Sequence, residues 1–224
     1  MEDKKSPPPP PHNRHSTLPK LLSLGVSYKS PFDLEMANMG YKVIEFDGSI
    51  EKSPYDGHEN IEFVRKFVGM VDNDNVASLE KILSDFSFNP QSHNILQCDI
   101  EGAEWNVMQR IDIDLIARNF SQMIFEFHNC YPDDTQNSQK HFEILEKINK
   151  CYVPIWTHYN SIVNIFICDV DNTMLTFCPS VEISYLRKDL VPNGAKPIRF
   201  LANDIPEPND NEVKPDIPVL FPLL

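Results

Sequence analysis

At 224 residues, with 41% hydrophobic and 24% charged side chains, the chain can bury one sizeable core and need not be divided. A formal net charge of −13 argues against nucleic acid or anionic lipid as partners, since both reward clustered lysine and arginine, and leaves a charged small molecule open. No window reaches the uninterrupted apolar length of a membrane span, and the opening residues run into prolines rather than a signal-peptide core, so a cytoplasmic protein without a membrane partner is expected.

Five cysteines, Cys98, Cys130, Cys151, Cys168 and Cys178, are odd in number and form no C-x-x-C pair, which suits a reducing compartment and core packing. Residues 1–19 carry the run Pro7–Pro11 and read as a polyproline tail, either simply solvated or an SH3-type ligand. Order is expected over residues 20–202, followed by a Pro- and acid-rich tail over 203–224.

Within the ordered part, the apolar run Leu21-Leu22-Ser23-Leu24 ends in Gly25-Val26-Ser27. Ser30, Pro31 and Asp33 then resemble a capped helix start, with Gly40 as its stop. A second strand, Tyr41–Phe46, ends in Asp47. Strand, glycine turn, helix, strand, acid is the order of a nucleotide-binding βαβ half, in which Asp47 could accept hydrogen bonds from ribose hydroxyls. Gly25 is the sole glycine of its turn, and it and Asp47 read equally well as a tight turn and a cap.

Ile61–Val68 reads as a third strand, and Ser78 caps a helix whose Leu79, Ile82, Leu83 and Phe86 form one apolar face. Next comes Asn94–Asn129, where an apolar run enters Asp99-Ile100-Glu101-Gly102, a helical segment follows, and Met123-Ile124-Phe125 leads to Glu126-Phe127-His128. Two buried strands joined by a helical crossover should lie parallel, with their ligand crevice at the carboxyl ends. Asp99, Glu101, Glu126 and His128 should therefore share one rim. A helix from Tyr131–Asp134 to about Asn149, with Phe142, Leu145 and Ile148 inward, precedes three β-like segments: 152–157, 162–168 and 181–187. Consecutive strands without helices suggest an antiparallel edge.

Asp99-Ile100-Glu101-Gly102-Ala103-Glu104-Trp105 with Met123-Ile124-Phe125-Glu126-Phe127-His128 resembles the FkbM-like S-adenosylmethionine-dependent methyltransferases, in particular their animal methyltransferase-like branch. Ser23–Ser27 is similar to that family's first cofactor motif, Phe46–Ser49 to its ribose-binding segment, and Glu182–Leu186 to its final strand. The resemblance covers roughly Leu21 to Leu190. It implies a Rossmann-like α/β fold with a seven-stranded, mostly parallel sheet, an antiparallel last strand and helices on both faces.

S-adenosylmethionine is the cofactor the resemblance implies, with Gly25, Ser27, Asp47 and Asp99 on its side of the crevice. Methyl transfer from a sulfonium is an in-line displacement that needs a base only when the acceptor atom carries a proton. Glu126, His128 and Glu101 are the candidates for that work, on a small-molecule or sugar-like oxygen. Each has a structural alternative: Glu101 as a charge at a helix start, His128 as a hydrogen-bonded core histidine, Asp99 as a cap. A methyltransferase-like scaffold without turnover is the second reading, given a first motif with one glycine and no acid. A metal-dependent hydrolase on Asp99, Glu101, Glu126 and His128 is the third, although no H-E-x-x-H or paired-Asp motif calls for a metal.

Overall fold

A computed structural model describes residues 18–131, 134–160, 166–170, 172–196 and 217–218. The Pro7–Pro11 run and, apart from 217–218, the tail from residue 203 onward lie outside these residues. The chain opens with β1 (Lys20–Leu24), α1 (Pro31–Asn38) and β2 (Lys42–Phe46), followed by β3 (Ile61–Val64). The expected third strand stops at Val64. Its continuation, β4 (Phe67–Gly69), pairs in parallel with β5 (Val76–Ser78) as a separate two-stranded sheet.

Ser78 then caps α2 (Leu79–Asp85), its hydroxyl accepting from the Lys81 amide as the sequence predicts. Beyond it come β6 (Ile95–Cys98), α3 (Glu104–Arg110), α4 (Ile113–Asn119), β7 (Gln122–Phe127), α5 (Thr135–Ile148) and β8 (Tyr152–Tyr159). A hairpin of β9 (Phe166–Val170) and β10 (Thr173–Phe177) precedes β11 (Val181–Arg187). The two-residue β12 (Ile217–Pro218) completes the order.

In space the main sheet runs β12-β8-β11-β7-β6-β1-β2-β3. From β3 to β7 every pairing is parallel, and β11 inserts antiparallel between β7 and β8. Seven full strands thus form the mostly parallel, Rossmann-like sheet expected from the sequence, and β12 adds a short edge to β8. The predicted β segment 162–168 corresponds to β9, which starts at Phe166 and joins β10 rather than the main sheet; residues 161–165 lie outside the described set.

Strand alternation divides the core between two layers. Leu22, Leu24, Ile44, Leu96, Met123, Phe125 and Phe127 face the layer containing α3 and α4, where Trp105, Met108, Ile113 and Ile116 meet them. Leu21, Val43 and Ile95 face the opposite layer, against Met36 and Ala37 of α1. Each fully buried large side chain stabilises the fold by about 1.5–3 kcal/mol relative to exposure. In α5, Ile144 and Ile148 are buried while the expected inward Phe142 is 64% exposed. Ile148 and Leu145 pack on the core as expected, so only the Phe142 part of the predicted face is displaced, and Lys147 reaches the carbonyls of Met108 and Gln109 at the end of α3.

Candidate functional site

The ends of four parallel strands, β1, β2, β6 and β7, build the site. At the end of β1, Gly25 donates its amide to Phe46 O (2.9 Å), while Asp99 donates to Leu24 O (2.8 Å). Gly25 has φ +81°, and a Cβ there would stand 1.7 Å from the carbonyl oxygen of Asp99. Only glycine lets the β1 turn and the β6 turn approach this closely. The single glycine of the first motif is therefore placed where backbone meets backbone.

Asp47, at the end of β2, closes that turn from the other side. Its Oδ2 accepts from the amides of Val26 (3.0 Å) and Ser27 (2.8 Å), and its Oδ1 from the amide (2.7 Å) and hydroxyl (2.6 Å) of Ser49. Burial pushes its pKa up, but the hydrogen bonds from Ser49, Ser27 and Val26 outweigh it and hold Asp47 below the usual carboxylate range. Ser27 takes a left-handed φ of +58° within this clamp.

The rim predicted from β6 and β7 forms, with one addition. His128 Nε2 lies 3.8 Å from Asp99 Oδ1, 3.6 Å from Glu101 Oε2 and 3.4 Å from Glu126 Oε1. On its other side Nδ1 meets Glu104 Oε1 at 3.2 Å. Glu104, which pattern reading treats only as a companion charge, is fully buried and accepts from the amides of Ile100 (2.9 Å) and Gly102 (3.2 Å). The signal for it was its place at the first turn of α3, from which a carboxylate can fold back onto the preceding loop's free amides. Oε1 is saturated by these contacts, whereas among the described residues Oε2 has no hydrogen-bond partner, nor does the buried Oδ1 of Asp99.

Glu104's hydrogen bond, set against burial and reinforced by the charges of Glu104, Glu126 and Asp99, raises His128 to about 9. That shift favours the protonated ring at neutral pH, whereas the base role expected of His128 calls for the neutral one. Burial, then the charge of Glu126, lifts Asp99 to about 7 against the lowering influence of His128. Glu126 Oε1 also accepts from Asn160 Nδ2 (2.9 Å) and the Ser180 hydroxyl, partners on later strand ends that no local pattern signals.

Several supports hold the nest rigid. Trp105 donates its indole N–H to His128 O (2.6 Å) and stacks between Phe127 and His141. Glu101 and Asn129 adopt left-handed φ values of +56° and +61°. With Ser27, three non-glycine residues in a sparsely populated region sit at the tips of β1, β6 and β7, where such strain accompanies functional sites.

Beneath the first turn lies a second acidic group. Asp33 does not complete a capping box: Ser30 makes no side-chain cap, and Asp33, fully buried, takes Ser23 Oγ at 2.8 Å. Glu45 of β2 is also fully buried, and among the described residues neither of its oxygens has a partner at hydrogen-bond geometry, Ser53 being the nearest polar influence on it. Burial raises Asp33 to about 6 and Glu45 to about 7. The start of α1 is thus backed by two buried acids.

No protein-family model matches the chain. It is similar to probable methyltransferase-like protein 24 of Homo sapiens, 27% identical over 124 residues, covering 50% of this chain and 33% of that protein. The Rattus norvegicus counterpart is likewise 27% identical over 124 residues, covering 50% and 34%. The chain thus spans less than two thirds of the length of these methyltransferase-like relatives. Among solved structures, the precorrin-6y C5,15-methyltransferase of Geobacter metallireducens matches at TM-score 0.39 and 13% identity over 78% of this chain and 83% of that one. A putative tRNA (m1A22) methyltransferase of Streptococcus pneumoniae, in complex with S-adenosyl-L-methionine, matches at 0.39 and 14% over 80% and 71%.

Proposed function

We propose that this chain is an S-adenosylmethionine-dependent methyltransferase of the FkbM-like kind, acting in the cytoplasm on an oxygen of a small-molecule or sugar-like acceptor. The observation that carries the reading is the contact of the Gly25 turn with Asp99, which joins a cofactor-type βα turn to a carboxylate–imidazole rim on one sheet edge. Gly25, Ser27, Asp47 and Asp99 then belong to the cofactor side. Glu126, His128 and Glu101 belong to the acceptor side.

On this reading the protein's work is mainly placement. A methyl group leaves a sulfonium in line, so orientation and exclusion of water supply most of the acceleration. His128, ringed by carboxylates, orients them and stabilises negative charge developing on the acceptor oxygen. Glu126 is the group left to receive the acceptor's proton. The large negative charge of the chain suits a small acceptor better than nucleic acid.

A second reading, a methyltransferase-like binding protein without turnover, is favoured by one observation: both oxygens of Asp47 already accept from the chain's own donors. Single-turnover methylation with labelled cofactor across a panel of hydroxylated acceptors separates the two. Methyl transfer that falls roughly 10²–10⁴-fold in Glu126→Gln supports the enzyme, the usual worth of a general base. Cofactor binding with no transfer to any acceptor supports the scaffold.

A further inference from the structure

We propose that the carboxylate–imidazole nest at the ends of β6 and β7 is a divalent-cation site, held by Asp99, Glu104 and His128. One donor atom from each of the three lies within 4.8 Å of the others, close enough to converge on a single ion. The site stands on this geometry alone, while any part it plays in catalysis rests on the methyl-transfer reading above.

Three observations separate the nest from an ordinary acidic surface. Among the described residues, no hydrogen-bond donor meets Oε2 of the fully buried Glu104 or the buried Oδ1 of Asp99. A carboxylate oxygen in that position costs free energy until a proton donor or a cation meets it. Second, four carboxylates approach one imidazole within 3.2–3.8 Å, so one ring cannot neutralise them even when protonated. Third, the donors are held in place before any ion arrives. Two backbone amides fix Glu104, the Trp105 indole fixes the His128 carbonyl, and the Gly25 turn packs on the Asp99 carbonyl.

The donor set decides the class of ion. Two carboxylate oxygens and one imidazole nitrogen suit a borderline divalent ion such as Mn²⁺ or Zn²⁺ better than Ca²⁺, which prefers six or more oxygens. Binding requires the imidazole to release its proton to solvent, because metal ligands are deprotonated. Three protein donors would leave further coordination positions for water or an acceptor oxygen. An acceptor hydroxyl placed there would ionise more easily than in water.

The test uses the full chain, stripped with chelator and then titrated with MnCl₂, ZnCl₂ or MgCl₂ alone in a calorimeter, with the free Mn²⁺ spin signal as a second readout. One Mn²⁺ or Zn²⁺ per chain is expected, weakened about 10-fold or more by Asp99→Asn and by His128→Gln. Glu104→Gln risks the fold because the residue is buried, so the two more accessible variants carry the result. Absence of saturable binding by all three ions up to about 1 mM overturns the site, as does binding that both variants leave unchanged. A parallel titration with S-adenosylhomocysteine keeps the two proposals apart. A chain that binds the nucleoside but no ion loses the cation site alone, and one that binds the ion but not the nucleoside keeps it.

Discussion

Gly25 and Asp47 show how much of the site rests on single atoms. A methyl group on Gly25 would have to displace the Asp99 carbonyl in a backbone conformation that L side chains rarely adopt. Gly25→Ala should therefore lose at least about 2 kcal/mol of stability, measured by urea unfolding, and a loss within experimental error would show that the two turns are not locked together. Asp47→Ala frees the amides of Val26 and Ser27 at once. Weakening of S-adenosylhomocysteine binding by about 1–3 kcal/mol is expected, and equal affinity would remove Asp47 from the cofactor side. At this scale the sequence made the strand-tip acids legible, since a carboxylate after an apolar run is visible in one dimension. It did not reveal Glu104 folding back onto His128, nor Asn160 and Ser180 meeting Glu126, because those contacts join residues far apart in the chain. The raised pKa of His128 follows from its contact with Glu104 and the nearby carboxylates, so it was hidden for the same reason.

Among the elements, α3 matters most to the rim. Trp105 ties it to β7 through Phe127, to α5 through His141, and to the His128 carbonyl by its indole N–H. Trp105→Ala should cost about 3–5 kcal/mol, read as a lowered urea midpoint, and a cost below about 1 kcal/mol would mean the ring is not core. Elements with strong periodicity and clear caps, such as α2 behind Ser78, were readable from residues alone. The break of the third strand after Val64 was not, since Ile61–Val68 is uniformly β-like and only pairing with β5 decides where its second half goes. The exposure of Phe142 on α5 has a similar cause. It fits an apolar face with Leu145 and Ile148 by spacing, but Ile144 rather than Phe142 joins those two against the core.

At the level of the whole molecule, the buried acids Asp33 and Glu45 make stability depend on pH. Asp33 is raised from 3.8 to about 6 and Glu45 from 4.5 to about 7, burial being the first cause in each. Charged neighbours of Glu45 are Asp33 and Asp47, and Ser53 is its polar one. A raised folded pKa means the folded chain holds protons that the unfolded chain releases, so this stabilisation is complete below about pH 4 and is lost as pH climbs through 6 to 7. Glu45→Gln should therefore gain on the parent between pH 5 and pH 8 by on the order of 2–3 kcal/mol, and parallel pH profiles would exclude Glu45 as a cause.

The sheet order brings the Gly25 turn, Asp47 and the Asp99–His128 rim to one edge, and that edge underlies the methyl-transfer account. A concavity lined by Asp114, Arg118, Cys151, Arg187 and Lys188 lies at the opposite ends of the strands. Calorimetric titration of the purified chain with S-adenosylhomocysteine tests the account most directly. Saturable binding of one molecule per chain, weakened in Asp47→Ala, is the predicted result. Absence of binding by a folded parent chain, with either S-adenosylhomocysteine or S-adenosylmethionine, would contradict it.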